Sequence, residues 1–295
     1  MSDNGRVVAR YRRHCLIEVD SGSRIACQIG RRSLNPVVGD EVEWRPDSDD
    51  SGIVTSILPR KTELTRINNR GSPELVAANL TQLVVVLAIK PAADWFLLDR
   101  YLASAELANL KSIIVFNKLD LAPALPQELD DYLELSDAIC TASAKQRKNL
   151  GELCEQMRGQ RSAMIGQSGV GKSSLINALL GDSVQEVSAL SEKSGHGRHT
   201  TTTSVLYRLP TGGELIDSPG VRDYAPYIED PRDVQRGFRE IARFSSRCRF
   251  DDCAHLAEPD CAVKEAVSDG AITSRRYESY KALLDLTESL QTGHR

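Results

Sequence analysis

Short alternating runs of apolar and polar residues occupy the first sixty or so positions of the chain. Turn-forming residues such as Asp20, Gly22 and Gly39 separate the runs. The pattern predicts five β-strands, at residues 6–11, 15–19, 25–29, 41–44 and 52–58. Five short strands in so few residues are typical of a small closed barrel of the OB type, a fold that often binds oligonucleotides.

The pattern changes after a polar stretch at residues 60–79, which predicts a linker. Continuous apolar runs at 83–89 and 111–116 predict strands buried on both faces of a parallel sheet. Helical periodicity at 95–110 joins them into a βαβ unit. Alternating elements continue along the chain, with a strand that ends near 140, a helix at 150–157, a strand at 162–165, a helix at 174–180 and a strand at 214–216.

The segment GQSGVGKSS matches the phosphate-binding pattern G-x-x-x-x-G-K-[ST] between a predicted strand and a predicted helix. Its backbone N–H groups would surround phosphate oxygens, Lys172 would reach the β- and γ-phosphates, and Ser173 would ligate Mg²⁺. The predicted phosphate-binding residues are Gly166, Gln167, Ser168, Gly169, Val170, Gly171, Lys172, Ser173 and Ser174. This segment predicts a nucleoside phosphate site.

Two further motifs favour guanine as the base. Asn117, Lys118, Leu119 and Asp120 form N-K-x-D at the carboxyl end of a predicted strand, similar to the guanine-recognition motif of GTPases. The Asp120 carboxylate can accept from the ring N–H and the amino group of guanine, a donor pair that adenine lacks. The S-A-K sequence of Ser143, Ala144 and Lys145 resembles the GTPase motif whose amides contact the guanine carbonyl.

The γ-phosphate motif follows the phosphate loop. Asp217 and Gly220 belong to D-x-P-G at a strand end, where Asp217 would hold Mg²⁺ through water and the Gly220 N–H would bind the γ-phosphate. The polar segment 191–203 is the predicted first switch, and one of its four threonines, such as Thr201, would close on Mg²⁺. Because base recognition precedes the phosphate loop, the order of motifs indicates a circularly permuted GTPase whose second switch leads into the C-terminal segment.

A metal site is predicted near the C-terminus. Cys248, Cys253, His255 and Cys261 form C-x₄-C-x-H-x₅-C, a ligand set suited to a closed structural Zn²⁺ site. Residues 231–247 predict one helix with a stripe of four arginines that is either an RNA-facing surface or a solvated face; they are Arg236, Arg239, Arg243 and Arg247. Residues 262–290 predict two short helices separated near residue 270.

Composition limits the remaining choices. The 295 residues carry a net charge of −4, so nucleic-acid contacts must come from local patches. Tyr11 and nearby arginines could contact RNA, or the barrel could serve protein contacts alone; the arginines are Arg10, Arg12, Arg13, Arg31 and Arg32. There is no apolar run of membrane-spanning length and no signal peptide, so a cytoplasmic protein with reduced thiols is expected.

The barrel, the permuted GTPase motifs and the Cys₃His cluster, in this order, resemble the bacterial RsgA (YjeQ) family of ribosome-assembly GTPases. The resemblance covers nearly the whole chain. It implies GTP hydrolysis coupled to late maturation of the small ribosomal subunit, stimulation by that subunit, and contacts of the barrel and the zinc domain with ribosomal RNA. The corresponding domains are 1–65 (OB-fold barrel), 66–228 (α/β permuted GTPase) and 229–295 (small α-helical zinc domain), in a protein expected to be a monomer.

The position of the water-orienting residue differs from that of Ras-like proteins. Val221 occupies the place of their glutamine and cannot position water, so slow intrinsic hydrolysis is expected. We therefore predict that a switch-loop histidine, His199 or else His196, takes this role when the ribosomal particle binds. Two other functions stay open: a nucleotide-switched RNA-binding scaffold without obligatory turnover, and a GTPase that acts on a metabolic or protein target.

Overall fold

The N-terminal strands form a closed five-stranded barrel. The computed structural model describes residues 3–11, 13–31, 33–48, 51–68, 71–121, 124–181, 204–218 and 227–292. The barrel consists of β1 (Asp3–Arg10), β2 (His14–Glu18), β3 (Arg24–Ile29), β4 (Glu41–Ser48) and β5 (Ser51–Ile57). The strand order is β1-β2-β3-β5-β4, with β4 pairing back to β1 and β3 parallel to β5. This confirms the predicted OB-type barrel, whose core is lined by Val7, Cys15, Ile17, Cys27, Val42, Trp44 and Val54.

The predicted linker at residues 60–79 is wrong. This stretch forms an antiparallel hairpin of β6 (Glu63–Ile67) and β7 (Pro73–Ala78). Leu64 of β6 and Ala77 of β7 are buried. Polar residues interrupt β6, and β7 contributes only the short apolar run 75–78, so neither strand showed a clear periodicity. Between the two strands, the Asn68 N–H donates to the Ser72 carbonyl at 2.9 Å.

The second unit is a largely parallel sheet covered by helices. Its strands are β8 (Gln82–Ala88), β9 (Lys111–Asn117), β10 (Ala138–Thr141), β11 (Arg161–Ile165), β12 (Ser204–Arg208) and β13 (Glu214–Asp217). Their order is β10-β9-β8-β11-β13-β12, parallel except for the β12–β13 pair. Its helices are α1 (Trp95–Leu107), α2 (Leu150–Met157) and α3 (Lys172–Leu180). Both faces of the sheet are buried, as the continuous apolar runs predicted: along β8, Leu83, Val85 and Leu87 pack on one side, and Val84 and Val86 on the other.

A β-bulge joins the barrel to this sheet. The register of β1 against β2 shifts between Val7 and Ala9. At this point successive side chains face opposite sides, so Val7 lies in the barrel core and Val8 in the core of the parallel sheet. Past the bulge, Ala9 pairs with Val205 of β12, which makes an eleven-stranded sheet of the described strands. The barrel is thereby hydrogen-bonded to the strand next to β13.

Charged side chains reinforce this junction at the amino ends of β11 and β13. Arg6 donates to Glu41 at 2.8 Å and to Glu214 at 2.7 Å, and Arg161 donates to the second oxygen of Glu214 at 2.7 Å. Arg6 and Glu41 belong to the barrel, whereas Arg161 and Glu214 begin β11 and β13. The two units are therefore held together at both ends of the strands.

The single helix predicted at residues 231–247 is also wrong. A 3₁₀ helix (Pro231–Gly237) and α4 (Arg239–Ser245) are separated by Phe238, which adopts an extended conformation at φ −110° and ψ 99°. A Cβ at Gly237 would lie 2.8 Å from the Ala103 Cβ, so the break brings this backbone against α1 and turns Phe238 into the core. The chain then forms α5 (Ala262–Ser268) and α6 (Ser274–Thr292), of which the second is 19 residues long rather than short.

The break also disrupts the predicted arginine stripe. Arg239 donates to Glu106 of α1 at 2.6 Å, and Arg236 pairs with Asp233 at 2.9 Å. Arg247 lies over the Phe244 ring at 5.3 Å. Arg239 therefore holds the C-terminal unit to α1, while Arg236, Arg243 and Arg247 are exposed and their contact with RNA stays a prediction.

Buried charges connect the C-terminal unit to the GTPase unit. Arg276 of α6 donates to Asp99 of α1 and to Glu240 of α4, at 2.6 and 2.7 Å. Burial alone would lower the pKa of the Arg276 guanidinium, but the two carboxylates outweigh it and raise that pKa. Tyr132 also donates to Asp99, at 2.6 Å.

None of the helices described is long and apolar enough to span a membrane. The domain limits 1–65, 66–228 and 229–295 stay a prediction.

Candidate nucleotide site and metal centre

The phosphate loop lies between β11 and the N-terminus of α3. Gly171 has φ +96°, and a Cβ there would lie 2.4 Å from the Asn117 Nδ2. The position therefore requires glycine both for its backbone conformation and for the approach of that amide. The Lys172 ammonium donates to the carbonyls of Gly166 and Gln167 at 2.5 and 2.9 Å, while Ser173 and Ser174 are exposed at the first turn of α3.

Asn117 connects the phosphate loop to the predicted base-recognition loops. Its amide nitrogen donates to the Val170 carbonyl at 2.9 Å, and its amide oxygen accepts from the Ala144 N–H at 3.2 Å. The residue ends β9 and is 1% exposed. Three motifs that are far apart in sequence therefore meet at the carboxyl edge of the sheet, which is where an open α/β fold binds its ligand.

The side chains next to Asn117 complete this arrangement. Lys118 has φ +61° and donates to the Gly169 and Lys90 carbonyls at 2.6 and 2.7 Å. The Ser143 hydroxyl donates to Asp120 at 2.6 Å and lowers the pKa of that carboxyl. Asp120 is thus held as a carboxylate, the form that accepts from two guanine N–H groups. The Leu119 N–H donates to the Ala142 carbonyl, and Lys145, the last residue of S-A-K, is exposed.

The predicted γ-phosphate motif begins at the end of β13. Asp217 pairs with Val205 of β12, and β13 is parallel to β11, with Ile216 opposite Ala163. Since β11 leads directly into the phosphate loop, Asp217 lies at the same sheet edge as that loop. The predicted first switch at 191–203, with His199 and Thr201, and the residues after Ser218 in the second switch, with Gly220 and Val221, lie outside the described residues.

The four predicted metal ligands converge. The ligand atoms of Cys248, Cys253, His255 and Cys261 all lie within 4.8 Å of one another. The Cys248 and Cys261 sulfurs are 3.9 Å apart, and each is 3.5 Å from the His255 Nδ1. A tetrahedral Zn²⁺ with Zn–S of about 2.3 Å and Zn–N of about 2.0 Å would separate its ligands by about 3.8 Å (S···S) and 3.5 Å (S···N). The cluster could therefore hold a metal ion, and its spacing fits this geometry.

Neighbouring groups orient the histidine of this cluster. The His255 Nε2–H donates to the Gln235 side-chain oxygen at 2.9 Å, which leaves the Nδ1 lone pair directed at the thiols. Burial lowers the pKa of His255 and raises the pKa of the Cys253 thiol to about 12. A bound cation would therefore displace protons from the thiols. The Tyr280 hydroxyl, which donates to the Ala254 carbonyl at 2.8 Å, ties the cluster to α6.

The predicted RNA-contact residues of the barrel have different environments. Arg13 and Arg31 are exposed, and Tyr11 stacks on His14 with the ring centroids 4.7 Å apart. The Arg10 guanidinium is engaged within the protein, because it donates to the Pro36 and His14 carbonyls at 3.0 and 3.3 Å. Arg12 and Arg32 lie outside the described residues.

Sequence reasoning missed two residues beside Asp217. The Ser204 hydroxyl, at the start of β12, donates to the Ser218 hydroxyl at 2.8 Å, and Ser218 is 3% exposed. Neither serine occupies a recognisable position of a GTPase pattern. The only sequence signal was the place of Ser218 inside D-x-P-G.

Comparisons with known proteins agree with this geometry. Residues 57–226 match the family model described as RsgA GTPase. Similar proteins, both named small ribosomal subunit biogenesis GTPase RsgA, occur in Haemophilus influenzae (strain PittGG) and Actinobacillus pleuropneumoniae serotype 5b (strain L20). The first is 39% identical over 303 aligned positions, covering 99% of this chain and 88% of that protein. The second is 39% identical over 290 positions, covering 95% and 84%.

Two crystal structures are similar over nearly the whole chain. YjeQ from Thermotoga maritima is 32% identical with a TM-score of 0.77, covering 97% of this chain and 99% of that one. YloQ, described as a circularly permuted GTPase, is 25% identical with a TM-score of 0.72, covering 98% and 96%. Fold and site therefore define a circularly permuted GTPase with an N-terminal barrel and a C-terminal Cys/His cluster. The chain belongs to the RsgA GTPase family.

Proposed function

We propose that this protein hydrolyses GTP at the carboxyl edge of its parallel sheet as an assembly factor of the small ribosomal subunit. The observation that supports this best is the Asn117 amide, which bridges the phosphate loop and the S-A-K turn at 2.9 and 3.2 Å. The permuted order of the chain thus still brings the phosphate loop and the predicted base-recognition loops together, which supports one guanine nucleotide site. Both relatives described above are named for small ribosomal subunit biogenesis.

The positions of the predicted nucleotide-binding residues support the roles that we propose for them. Asp120 accepts from guanine, and the loop 166–174 surrounds the phosphates. Lys172 would exchange its carbonyl partners for β- and γ-phosphate oxygens, which neutralise it better. Ser173 and Asp217 would hold Mg²⁺, which supplies charge stabilisation to the transferring phosphoryl group. His199 remains our candidate for positioning water, because Val221 cannot.

The metal of the C-terminal cluster is in our proposal a structural Zn²⁺. Three thiols and one imidazole supply four ligands and leave no position open for substrate. The ion would cross-link the segment between Cys248 and Cys261, which ends at the start of α5, and so stabilise the C-terminal unit.

The barrel is the candidate RNA-binding surface. Arg13 and Arg31 are free of ion pairs among the described residues and would contact phosphates, while the Tyr11–His14 stack offers an aromatic face to an unpaired base. We propose that these residues bind ribosomal RNA of the small subunit, in the cytoplasm, and that the protein acts as a monomer.

GTP turnover measured with and without purified small ribosomal subunits tests the proposal. We expect slow intrinsic turnover, strong stimulation by the subunit and loss of both in Lys172→Ala. Binding to the subunit with no stimulation would favour the nucleotide-switched scaffold instead. Turnover that ignores the subunit would indicate a GTPase with another target.

A further inference from the structure

Ser204 and Ser218 lie where the barrel and the nucleotide site meet. In the register of the sheet, Ala9, Val205 and Asp217 form one row across β1, β12 and β13. The next row contains Arg10 and Ser204, and the Ser204 hydroxyl extends it to Ser218 at 2.8 Å. Ser218, which directly follows Asp217, is therefore buried and hydrogen-bonded to β12, the strand that pairs with β1 of the barrel.

The support for Asp217 differs on its two sides. In the residues before Asp217, β13 pairs with both neighbouring strands, β11 and β12. At Asp217 the paired strand ends, and the Ser204–Ser218 hydrogen bond lies one residue further on. A displacement of about 1 Å in an active site can cost on the order of 100-fold in rate, so this contact supports the chain where the position of the carboxylate matters.

We propose that Ser204 and Ser218 are a positioning pair that holds Asp217 for the Mg²⁺ of bound GTP and links its position to barrel strand β1. The inference rests on the proposed function, since it assumes that Asp217 acts on Mg²⁺. The link to the barrel is short: the hairpin turn with Tyr11 and His14 directly follows Arg10, the residue opposite Ser204. Ligand contacts at that turn would act on Asp217 through one intervening strand.

Two substitutions at position 204 isolate the hydroxyl. Ser204→Thr keeps the hydroxyl, whereas Ser204→Val has nearly the same shape without it; both branched residues suit a β-strand. The measurement is the dissociation rate of a fluorescent, non-hydrolysable GTP analogue from the full chain, in excess Mg²⁺ and in EDTA. We expect Mg²⁺ to slow dissociation in the wild type and in Ser204→Thr. In Ser204→Val this slowing should fall by about three- to tenfold, as one hydrogen bond allows, with EDTA rates unchanged.

A matched control separates positioning from stability. Ser162 is fully buried in β11, and its hydroxyl donates to Gln82 at 2.8 Å near the opposite edge of the sheet. Ser162→Ala therefore removes a hydrogen bond of the same length, and it should lower the unfolding temperature without changing the effect of Mg²⁺. Ser218→Ala should lower the Mg²⁺ effect at least as much as Ser204→Val, and the double variant should be no worse than Ser218→Ala, since both substitutions remove the Ser204–Ser218 contact.

The outcomes are distinguishable. Equal Mg²⁺ effects in Ser204→Thr and Ser204→Val overturn the positioning pair and leave the GTPase assignment intact. A Mg²⁺ effect that also falls in Ser162→Ala overturns it too, because general destabilisation would then explain the loss. A wild type whose dissociation ignores Mg²⁺ contradicts the role of Asp217 itself, and the positioning pair with it.

Discussion

The buried charges between α1 and α6 should contribute strongly to stability. Arg276 is 3% exposed and Asp99 is fully buried, with 2.6 Å between their nearest charged atoms. The substitution Arg276→Met keeps most of the side-chain volume but leaves Asp99 and Glu240 without their shared cation. Tyr132 still donates to Asp99, and Arg275 lies 3.5 Å away, so the compensation is partial.

The size of the effect follows from burial. Removing one partner of a buried ion pair costs about 3–5 kcal/mol, because the remaining charge is desolvated without compensation. With a urea m-value of about 2–3 kcal/mol/M, that loss would lower the unfolding midpoint by about 1–2.5 M. Arg232→Met is the matched control: Arg232 also pairs at 2.6 Å, with Asp230, but it is 88% exposed. Its removal should leave the midpoint unchanged.

Tryptophan fluorescence can report this interface directly. Trp95 begins α1, stacks on Tyr132 with centroids 5.8 Å apart, and lies under the Arg275 guanidinium. The other tryptophan, Trp44, lies in the barrel, so a Trp44→Phe background makes the signal specific for the interface between α1 and α6. Equal midpoints for Arg276→Met and Arg232→Met would refute the reasoning, because burial would then not decide the energy of these pairs.

Three further predictions concern the candidate sites. Asp120→Asn should weaken GTP binding by on the order of 100- to 10⁴-fold through two lost charged hydrogen bonds, measured by fluorescent nucleotide titration, and undiminished affinity would contradict its role. Gly171→Ala should abolish nucleotide binding because its Cβ would meet Asn117 at 2.4 Å, whereas Gly181→Ala, at φ +57° with open space, should bind normally. Cys253→Ser should lower zinc content below one equivalent per chain by elemental analysis while Cys154→Ser should not; full occupancy in Cys253→Ser would remove it from the ligand set.

Much of the secondary structure could be predicted from local patterns. The alternation in the barrel strands and the continuous apolar runs of β8 and β9 reflect burial on one or two faces of a sheet. The failures occurred where tertiary contacts override the local pattern. The β6–β7 hairpin carries polar residues because only part of each strand is buried. The helix predicted at residues 231–247 breaks at Phe238 because the glycine before it lies against Ala103.

The same distinction applies to the sites. The nucleotide motifs and the Cys₃His set were visible in the sequence, because phosphate, guanine and zinc each require particular residue types at short spacing. The arginine stripe was misleading, since periodicity places side chains on a face but cannot show that α1 offers Glu106 to Arg239.

The sequence by itself determined the family, the order of the motifs and the chemistry that each motif can support. Only the tertiary structure decided how the units are joined. The bulge at Val8, the pairing of β1 with β12 and the contact of Ser204 with Ser218 depend on residues separated by up to about two hundred positions. No local pattern encodes such pairings, because they are selected by the burial and hydrogen bonding of the whole folded chain.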